Sequence, residues 1–187
     1  MKKLDSEIVE AVPDASISSA FEALFLEHWA RVYRLLCRLV GDPAEAEDLA
    51  LETFVRLYQK ASAPQDELNA GGWLHRVATN LGLQSIRNWK RRERYELSAG
   101  KYALEEADTE GPTEIMVREE EQRLARRALA NMHERQARLL ILRYEGFSYK
   151  EIAETLKLAP TSIGPLLLRA EREFEKQYQA LAQEEQP

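Results

Sequence analysis

The chain has 187 residues, of which 44% are hydrophobic and 31% charged, with eight glycines and seven prolines. This composition is typical of a mostly helical globular protein with one domain or two small ones. The single cysteine, Cys37, excludes an internal disulfide, and the three histidines lack metal-ligand spacing, so we expect neither a metal nor another cofactor. No apolar run could span a membrane or serve as a signal peptide, and we expect a cytoplasmic protein without membrane insertion.

Charge is unevenly distributed along this chain, whose net charge is −6. Residues 87–94, RNWKRRER, contain five basic residues and one acidic residue around a tryptophan. Residues 105–121 are rich in acids and contain one arginine. Because phosphate binding requires lysine and arginine, the basic segment is a candidate nucleic-acid face and the acidic remainder indicates protein-binding surfaces. The alternative for the basic segment is favourable interaction with a helix C-terminus.

The first half of the chain predicts three helices after a flexible lead over residues 1–17. Ser18 or Ser19 caps the first helix, whose apolar residues repeat at steps of three and four. Residues 41–43, Gly-Asp-Pro, end it and begin the second helix, with Asp42 as the cap. The second helix buries one face and exposes a charged one. The inward residues are Ala46, Leu49, Ala50, Phe54 and Leu57, and the charged ones are Glu47, Asp48, Glu52 and Arg56.

A loop over residues 61–72 separates the second helix from a third, which runs from Trp73 to about Arg92. The third helix has an apolar inner side, and its last turns are basic. After it, residues 95–113 lose the helical pattern and become acidic, which predicts a linker between two helical domains. A fourth helix follows from Thr113 or Glu114 to about Asn131. A fifth spans residues 134–144, with Ala137, Leu140, Ile141 and Tyr144 facing inward.

Residues 146–170 predict two short helices joined by a tight turn. Ser148 caps the first helix, and Glu151, three residues later, completes a capping box. Thr161 or Ser162 caps the second helix, which carries Ile163, Leu166, Leu167 and Ala170 inward. This is the pattern of a helix-turn-helix, whose second helix enters the DNA major groove. An ordinary helical hairpin is the alternative.

The fold class expected from these elements is all-α, because no stretch alternates with a period of two. We expect two small helical domains joined by an acidic linker, the C-terminal domain containing the helix-turn-helix. No phosphate-binding glycine loop, nucleophile elbow or metal-binding helix motif is present. The paired carboxylates lie on amphipathic helix surfaces, so we expect a protein that is not an enzyme.

Three blocks of the sequence resemble the extracytoplasmic-function (ECF) group of alternative RNA polymerase sigma factors, within the sigma-70 superfamily. Residues 41–61, GDPAEAEDLALETFVRLYQKA, look like the family's helix that docks on the polymerase clamp. Residues 73–92, WLHRVATNLGLQSIRNWKRR, look like its promoter-melting helix that reads the −10 element. Residues 139–171, LLILRYEGFSYKEIAETLKLAPTSIGPLLLRAE, look like its domain for the −35 element.

The resemblance implies a region 2-like domain at residues 18–94, a linker at 95–119 and a region 4-like domain at 120–187. It also implies promoter-specific initiation with bacterial core polymerase and promoter DNA as partners, and an anti-sigma factor as regulator. The polymerase-binding residues implied are Glu47, Asp48, Glu52 and Arg56. Those implied for the −10 element are Asn69, Gly71, Gly72, Arg76, Asn80, Gln84, Arg87, Lys90, Arg91 and Arg92. Those implied for the −35 element are Ser148, Tyr149, Lys150, Thr161, Ser162, Gly164 and Arg169.

The chain departs from the family pattern in the second helix of the helix-turn-helix. Gly164, Pro165 and Leu166 stand where the family has a basic residue, a small polar residue and an arginine. We therefore expect weaker or differently specified −35 binding, with Pro165 tolerated only in the first helical turn. Two alternatives stay open. One is a DNA-binding regulator that does not bind polymerase, and the other is a sigma-derived module for protein interaction.

Overall fold

A computed structural model describes the backbone of residues 15–61, 70–98 and 114–184, which form seven helices with no strand in those ranges. The expected all-α class is confirmed. The helices are α1 (Ala15–Val40), α2 (Pro43–Ala61), α3 (Ala70–Ser98), α4 (Glu114–Asn131), α5 (Glu134–Tyr144), α6 (Tyr149–Leu156) and α7 (Pro160–Glu184).

The first three helices pack on one another around an aromatic cluster. Phe54 of α2 is buried, and the rings of Phe25 and Trp29 of α1 lie 4.8 and 5.8 Å from it between centroids. Val32, Leu36 and further apolar residues of α1 and α2 continue this core, in agreement with the predicted inward faces. Burial of such large aromatic side chains stabilises the bundle through the hydrophobic effect.

The turn between α1 and α2 follows the predicted chemistry. Gly41 adopts φ +80°, and its N–H donates to Cys37 O at 2.9 Å, which ends α1 in a left-handed cap. Asp42 Oδ1 then accepts from Ala44 N at 2.8 Å and caps α2. A side chain at Gly41 would be strained by its backbone conformation, and its Cβ would lie 2.8 Å from the Arg126 guanidinium of α4.

Several helix ends differ from the sequence predictions. The first helix begins at Ala15, before Ser18 and Ser19, and α3 begins at Ala70, inside the predicted loop. Helix α3 also continues past Arg92 to Ser98. Residues of high helix propensity extend a helix beyond its last apolar residue. The periodicity of apolar residues gives no information there about where the helix ends. The rest of that loop and residues 99–113 of the predicted linker lie outside the described residues.

The helix-turn-helix is confirmed in its first half and corrected in its second. Ser148 caps α6, and Glu151 completes the capping box. Helix α7 begins at Pro160, so Thr161 and Ser162 lie inside its first turn and are not caps. A proline at the first helical position explains this, since its missing N–H needs no partner there.

The positions of Pro165 and Tyr144 in the structure differ from the sequence predictions. Pro165 is the sixth residue of α7 and so lies inside the helix, beyond the first turn. Its missing N–H removes one helical hydrogen bond. Tyr144 was expected to face inward, but it is 80% exposed. It is the last residue of α5, and on the α1 side the guanidinium carbon of Arg38 lies 5.9 Å from its ring centroid.

The two halves of the chain pack against each other along α3, which contacts α4, α5 and α6. Met132, Ala137 and Ile141 join the same core as Leu83 of α3. A second cluster inside the helix-turn-helix contains Leu142, Ile152, Ile163 and Leu167 among others. The domain boundaries at residues 18–94, 95–119 and 120–187 stay a prediction.

Candidate protein and nucleic-acid interfaces

The outer face of α2 combines charge with exposed apolar surface. Glu47, Asp48, Glu52 and Arg56 are all exposed, as the amphipathic pattern predicted. Arg56 donates to Glu52 Oε1 from Nε at 3.1 Å and from a terminal nitrogen at 2.5 Å, one turn apart on the helix. Leu51 and Val55 lie between these charges on the same face.

Leu51 and Val55, four residues apart on α2, are 45% and 51% exposed. Neighbouring positions at this spacing lie on the same side of a helix. An apolar pair surrounded by charges is typical of a protein-binding surface. Sequence reasoning placed neither Leu51 nor Val55 in the predicted polymerase-binding set. The sequence signal for this apolar pair was the four-residue spacing of two apolar residues among charged ones.

The start of α3 differs from the predicted base-binding loop. Gly71 and Gly72 belong to the first turn of α3, and Gly72 is buried. Asn69 lies outside the described residues. Asn80 is partly buried, and its Oδ1 has no hydrogen-bond partner among the described residues. A buried amide oxygen without a partner is costly, which marks Asn80 as a residue able to accept from a ligand.

His75 is a buried residue of α3 that sequence reasoning did not place in the site. Its side chain is 1% exposed, and its Nδ1 donates to Gly71 O at 2.8 Å, because a carbonyl can only accept. Burial lowers the pKa of His75 to about 4, and nearby Arg31 and His28 act in the same direction against the Gly71 hydrogen bond. His75 is therefore neutral at pH 7.

The other residues of α3 predicted to bind the −10 element fall into two groups. Gln84, Arg91 and Arg92 are exposed, and Arg76 is partly buried. Arg87 and Lys90 instead contact the second half of the chain. Arg87 donates to Met132 O at 3.1 Å, and Lys90 donates to Asn131 Oδ1. The basic face of α3 is therefore only partly open to solvent. Trp73 packs against the core, with Lys60 Nζ 5.6 Å from its ring centroid.

The residues predicted for the −35 element lie on the helix-turn-helix. Tyr149, Lys150, Thr161 and Arg169 are exposed. Tyr149 lies between Arg143, whose guanidinium carbon is 5.5 Å from its ring centroid, and α7. A Cβ added at Gly164 would lie 3.6 Å from Tyr149 Cε2, so the ring covers this glycine. The two other members of the predicted set are Ser148, exposed at the α6 cap, and Ser162, partly buried in the first turn of α7.

The three successive leucines of α7 point in different directions. Leu167 is buried, Leu166 packs at the edge of the helix-turn-helix core, and Leu168 is 50% exposed. Three successive positions of an α-helix cannot all face one core, which explains this divergence. Pro165 is exposed on the same outward part of α7. The surface that would approach DNA is therefore partly apolar.

Two family models match the chain in order along it. Sigma-70 region 2 matches residues 24–94, which include most of α1, all of α2 and most of α3. Sigma-70 region 4 matches residues 122–174, which run from α4 into α7. The chain belongs to the ECF sigma factors of the sigma-70 family. Members of this family are alternative sigma factors, which act in transcription initiation.

Curated relatives include other sigma factors. The ECF RNA polymerase sigma factor SigE of Mycolicibacterium smegmatis is 33% identical over 80% of this sigma factor and 58% of its own length. The RNA polymerase sigma-H factor of Pseudomonas aeruginosa is 28% identical over 96% of each chain. This sigma factor thus spans somewhat over half of the first relative and nearly all of the second.

Solved structures share the fold of this sigma factor. One is the sigma factor RpoE in complex with the anti-sigma factor NepR from Bartonella quintana, with a TM-score of 0.50, 19% identity and coverage of 86% and 98% of the two chains. Another is CnrH in complex with the cytosolic domain of CnrY, with a TM-score of 0.54, 16% identity and coverage of 90% and 91%.

None of the described helices is long and apolar enough to cross a membrane. Within the same part of the chain, no group of His, Cys, Asp or Glu residues is arranged to hold a metal ion.

Proposed function

We propose that this sigma factor binds core RNA polymerase through α2 and directs initiation at particular promoters through α3 and the helix-turn-helix. The observation that carries the proposal is the match of regions 2 and 4, in order, to the two halves of the chain. It acts as a binding factor, since the chemistry of initiation belongs to the polymerase, and it is not an enzyme itself. We expect it in the cytoplasm, because its proposed partners, core polymerase and promoter DNA, lie there.

The polymerase-docking surface is the exposed face of α2. Glu47, Asp48, Glu52 and Arg56 supply charge around Leu51 and Val55, which supply the apolar centre. An interface of this kind gains most of its affinity from the desolvated centre, while the charged rim sets orientation and specificity.

The −10 element is bound by α3 and the segment before it. The amide oxygen of Asn80, which has no partner among the described residues, accepts a hydrogen bond from a base edge in this proposal. Asn69, Gly71 and Gly72 lie next to the same flipped base. Gln84 is an exposed polar contact on the same helix. The cations Arg76, Arg87, Lys90, Arg91 and Arg92 hold backbone phosphates and so provide affinity rather than sequence choice.

The −35 element is bound by the helix-turn-helix with an altered set of contacts. In this proposal, Thr161 and Ser162 at the start of α7 contact base edges, and the exposed side chains of Lys150 and Arg169 contact phosphates. Ser148 and Tyr149 contribute at the start of α6. Because Gly164 and Pro165 replace polar contacts, base readout at this element is weaker than at the −10 element.

An anti-sigma factor is the proposed regulator. One of the similar structures is the sigma factor RpoE in complex with the anti-sigma factor NepR, and the other is CnrH in complex with the cytosolic domain of CnrY. For this chain we place such a partner on the α2 face, because a protein covering Leu51 and Val55 would exclude polymerase directly.

The proposal is tested by co-purification of the full chain with core polymerase. A stable complex is expected on gel filtration, and it should bind a promoter duplex that neither component binds alone. Absence of a complex at micromolar concentrations would refute polymerase docking.

A second function is favoured by the apolar surface of α7, where Pro165 and Leu168 are exposed. In this alternative, the helix-turn-helix binds a protein and no longer reads DNA. Binding to −35 duplexes separates the two. Sequence preference with a steep salt dependence supports DNA reading, and weak binding without sequence preference supports the protein-interaction module.

A further inference from the structure

The outward face of α7 carries two apolar side chains close to the start of the helix. Exposed positions recur with the spacing i, i+4, i+7 and i+11, and they are occupied by Thr161, Pro165, Leu168 and Arg172. At about 100° per residue, these four positions lie within about 60° of one another around the helix axis. Leu168 is 50% exposed, and Pro165 is exposed as well. The two apolar side chains therefore form the centre of one stripe that faces solvent.

The core of the helix-turn-helix does not account for Pro165 and Leu168. The buried positions in this part of α7 are Ile163, Leu167 and Ala170, which lie on the opposite side of the helix. Helix stability does not account for Pro165 either, because a proline inside a helix removes a backbone hydrogen bond. The pair is thus available to a ligand of the helix-turn-helix.

A tyrosine and several cations adjoin this apolar pair. The ring of Tyr149 is 47% exposed and covers Gly164, where an added Cβ would lie 3.6 Å from Tyr149 Cε2. Arg143 lies on the other side of the ring, with its guanidinium carbon 5.5 Å from the centroid. Lys150 and Arg169 are exposed next to this surface. A small apolar patch flanked by cations complements a DNA groove, which is bordered by phosphates.

The DNA major groove presents one apolar group to such a patch, the C5-methyl group of thymine. The side chains of proline and leucine have no donor or acceptor, so they form no hydrogen bond with a base edge. Placing them against the polar edge of a G·C pair would remove water without replacing its hydrogen bonds, which is unfavourable. The second helix of a helix-turn-helix brings its N-terminal residues to the base edges. Pro165 and Leu168 at these edges therefore favour thymine.

The spacing of the pair predicts how many thymines are contacted. Pro165 and Leu168 are three residues apart, which corresponds to about 4.5 Å along the helix axis. Successive bases of one DNA strand are about 3.4 Å apart along the duplex. The two side chains therefore match two neighbouring base pairs.

We propose that Pro165 and Leu168 determine the −35 specificity of this sigma factor by contacting the methyl groups of thymines in two neighbouring base pairs. This inference rests on the proposed function, since it concerns the −35 element of a promoter. Methyl dependence is a property of duplex binding, and it is measured with and without core polymerase. The two proposals can therefore fail separately.

The test removes single methyl groups from the DNA. Duplexes are selected from a random pool for binding to the complex of the full chain with core polymerase, and in a second selection to the full chain alone. Each selected duplex is then synthesised with deoxyuridine in place of individual thymidines of its −35 element. This change removes the C5-methyl group and leaves base pairing intact. Affinities are measured by fluorescence titration.

Three full-length variants accompany the wild type. Leu168→Ala and Pro165→Ala each shorten one apolar contact at an exposed position of α7. Val117→Ala is the matched control, because it shortens a side chain that is 46% exposed on α4, outside the helix-turn-helix. Circular dichroism verifies that each variant keeps its helices.

Two neighbouring base pairs of the −35 element should depend on their methyl groups. For the wild type and Val117→Ala, deoxyuridine at either position should weaken binding about fourfold, the effect of leaving one methyl group unburied. In Leu168→Ala the effect should nearly disappear at one position and persist at the other. Pro165→Ala should show the reverse, since each methyl group loses only its own partner.

Equal affinity of the wild type for thymidine and deoxyuridine duplexes would overturn the inference. A methyl effect of the same size in all four proteins would also overturn it, because that result reports DNA shape and not contact with these side chains. Selection of a −10 motif without a −35 motif would overturn it in favour of the protein-interaction surface and leave the sigma function standing.

Failure of the chain to bind core polymerase would instead refute the proposed function. The duplexes selected by the full chain alone then decide on the methyl contact by the same substitutions. If the full chain selects no duplex under either condition, the inference is overturned as well.

Discussion

Among single residues, Asp48 gives the most direct test of the α2 docking face. It is exposed on α2 next to the apolar pair Leu51 and Val55. Asp48→Arg should weaken core polymerase binding about tenfold or more, equivalent to about 1.4 kcal/mol, because a reversed charge at an interface rim opposes its partner. The affinity is measured by fluorescence titration of labelled protein with core enzyme.

The control for Asp48→Arg is Glu171→Arg, which makes the same charge change at an exposed position of α7. It should leave core affinity unchanged, and both variants should unfold at the wild-type temperature. Equal core affinity for Asp48→Arg and the wild type would remove Asp48 from the docking face.

The buried imidazole of His75 predicts a stability that depends on pH. Its pKa is lowered from 6.5 to about 4 in the folded chain, chiefly by burial. As pH falls below 6.5 the unfolded chain binds a proton that the folded chain does not, so stability should decrease down to about pH 4 and then level off. Between pH 7 and 5.5 the decrease is about 1 kcal/mol.

Urea unfolding at pH 7 and 5.5 measures this effect, with His75→Gln as the comparison because glutamine stays neutral. The variant should lose less stability than the wild type over this interval. Equal losses in both proteins would mean that His75 is protonated without cost in the folded state.

Among the single elements, α3 is expected to bind DNA by contacting the phosphates of the DNA backbone. Arg91→Ala/Arg92→Ala removes two exposed cations from its basic end. Promoter binding by the polymerase complex should weaken for all sequences alike, with a salt slope smaller by roughly 1.8, because phosphate contacts carry no sequence information. Arg135→Ala/Lys176→Ala removes two exposed cations elsewhere and serves as control. An altered consensus with unchanged affinity would contradict the phosphate role.

The helix-turn-helix depends on the cap of α6. Glu151 N donates to Ser148 Oγ at 3.3 Å, and Ser148 N donates to Glu151 Oε2 at 2.7 Å. These hydrogen bonds lower the pKa of Glu151, so their stabilisation is present at neutral pH and is lost as pH falls through that lowered value. Ser148→Ala should cost about 1 kcal/mol, measured as a lower unfolding temperature of the full chain. An unchanged unfolding temperature would show that the cap is dispensable.

The sequence predicted local features of these elements better than their ends. The capping box at Ser148 and the cap at Asp42 follow from side-chain chemistry within four residues, and both are present. The predicted start of α7 was wrong because Pro160 and Thr161 are both suitable residues for the start of a helix, and local chemistry did not decide between them. The exposure of Tyr144 was missed, since periodicity cannot tell where a helix loses its packing partner.

In the whole molecule, the two halves are close together in a way that the sequence did not predict. Arg87 and Lys90 were identified as cations of a DNA-binding helix, yet here they contact Met132 and Asn131, more than 40 residues along the chain. Such pairs depend on which surfaces meet after the helices form, and no local pattern encodes that. Site roles could be predicted from resemblance, whereas their accessibility required the structure.

Run-off transcription with purified core polymerase on a pooled random-promoter library tests the sigma function of the whole molecule most directly. The expected result is a set of enriched transcripts that require this protein and whose templates share an upstream −10 motif, with a weaker motif near −35. Stable binding to core polymerase, without any transcript beyond those of core polymerase alone, would contradict the function proposed for this chain.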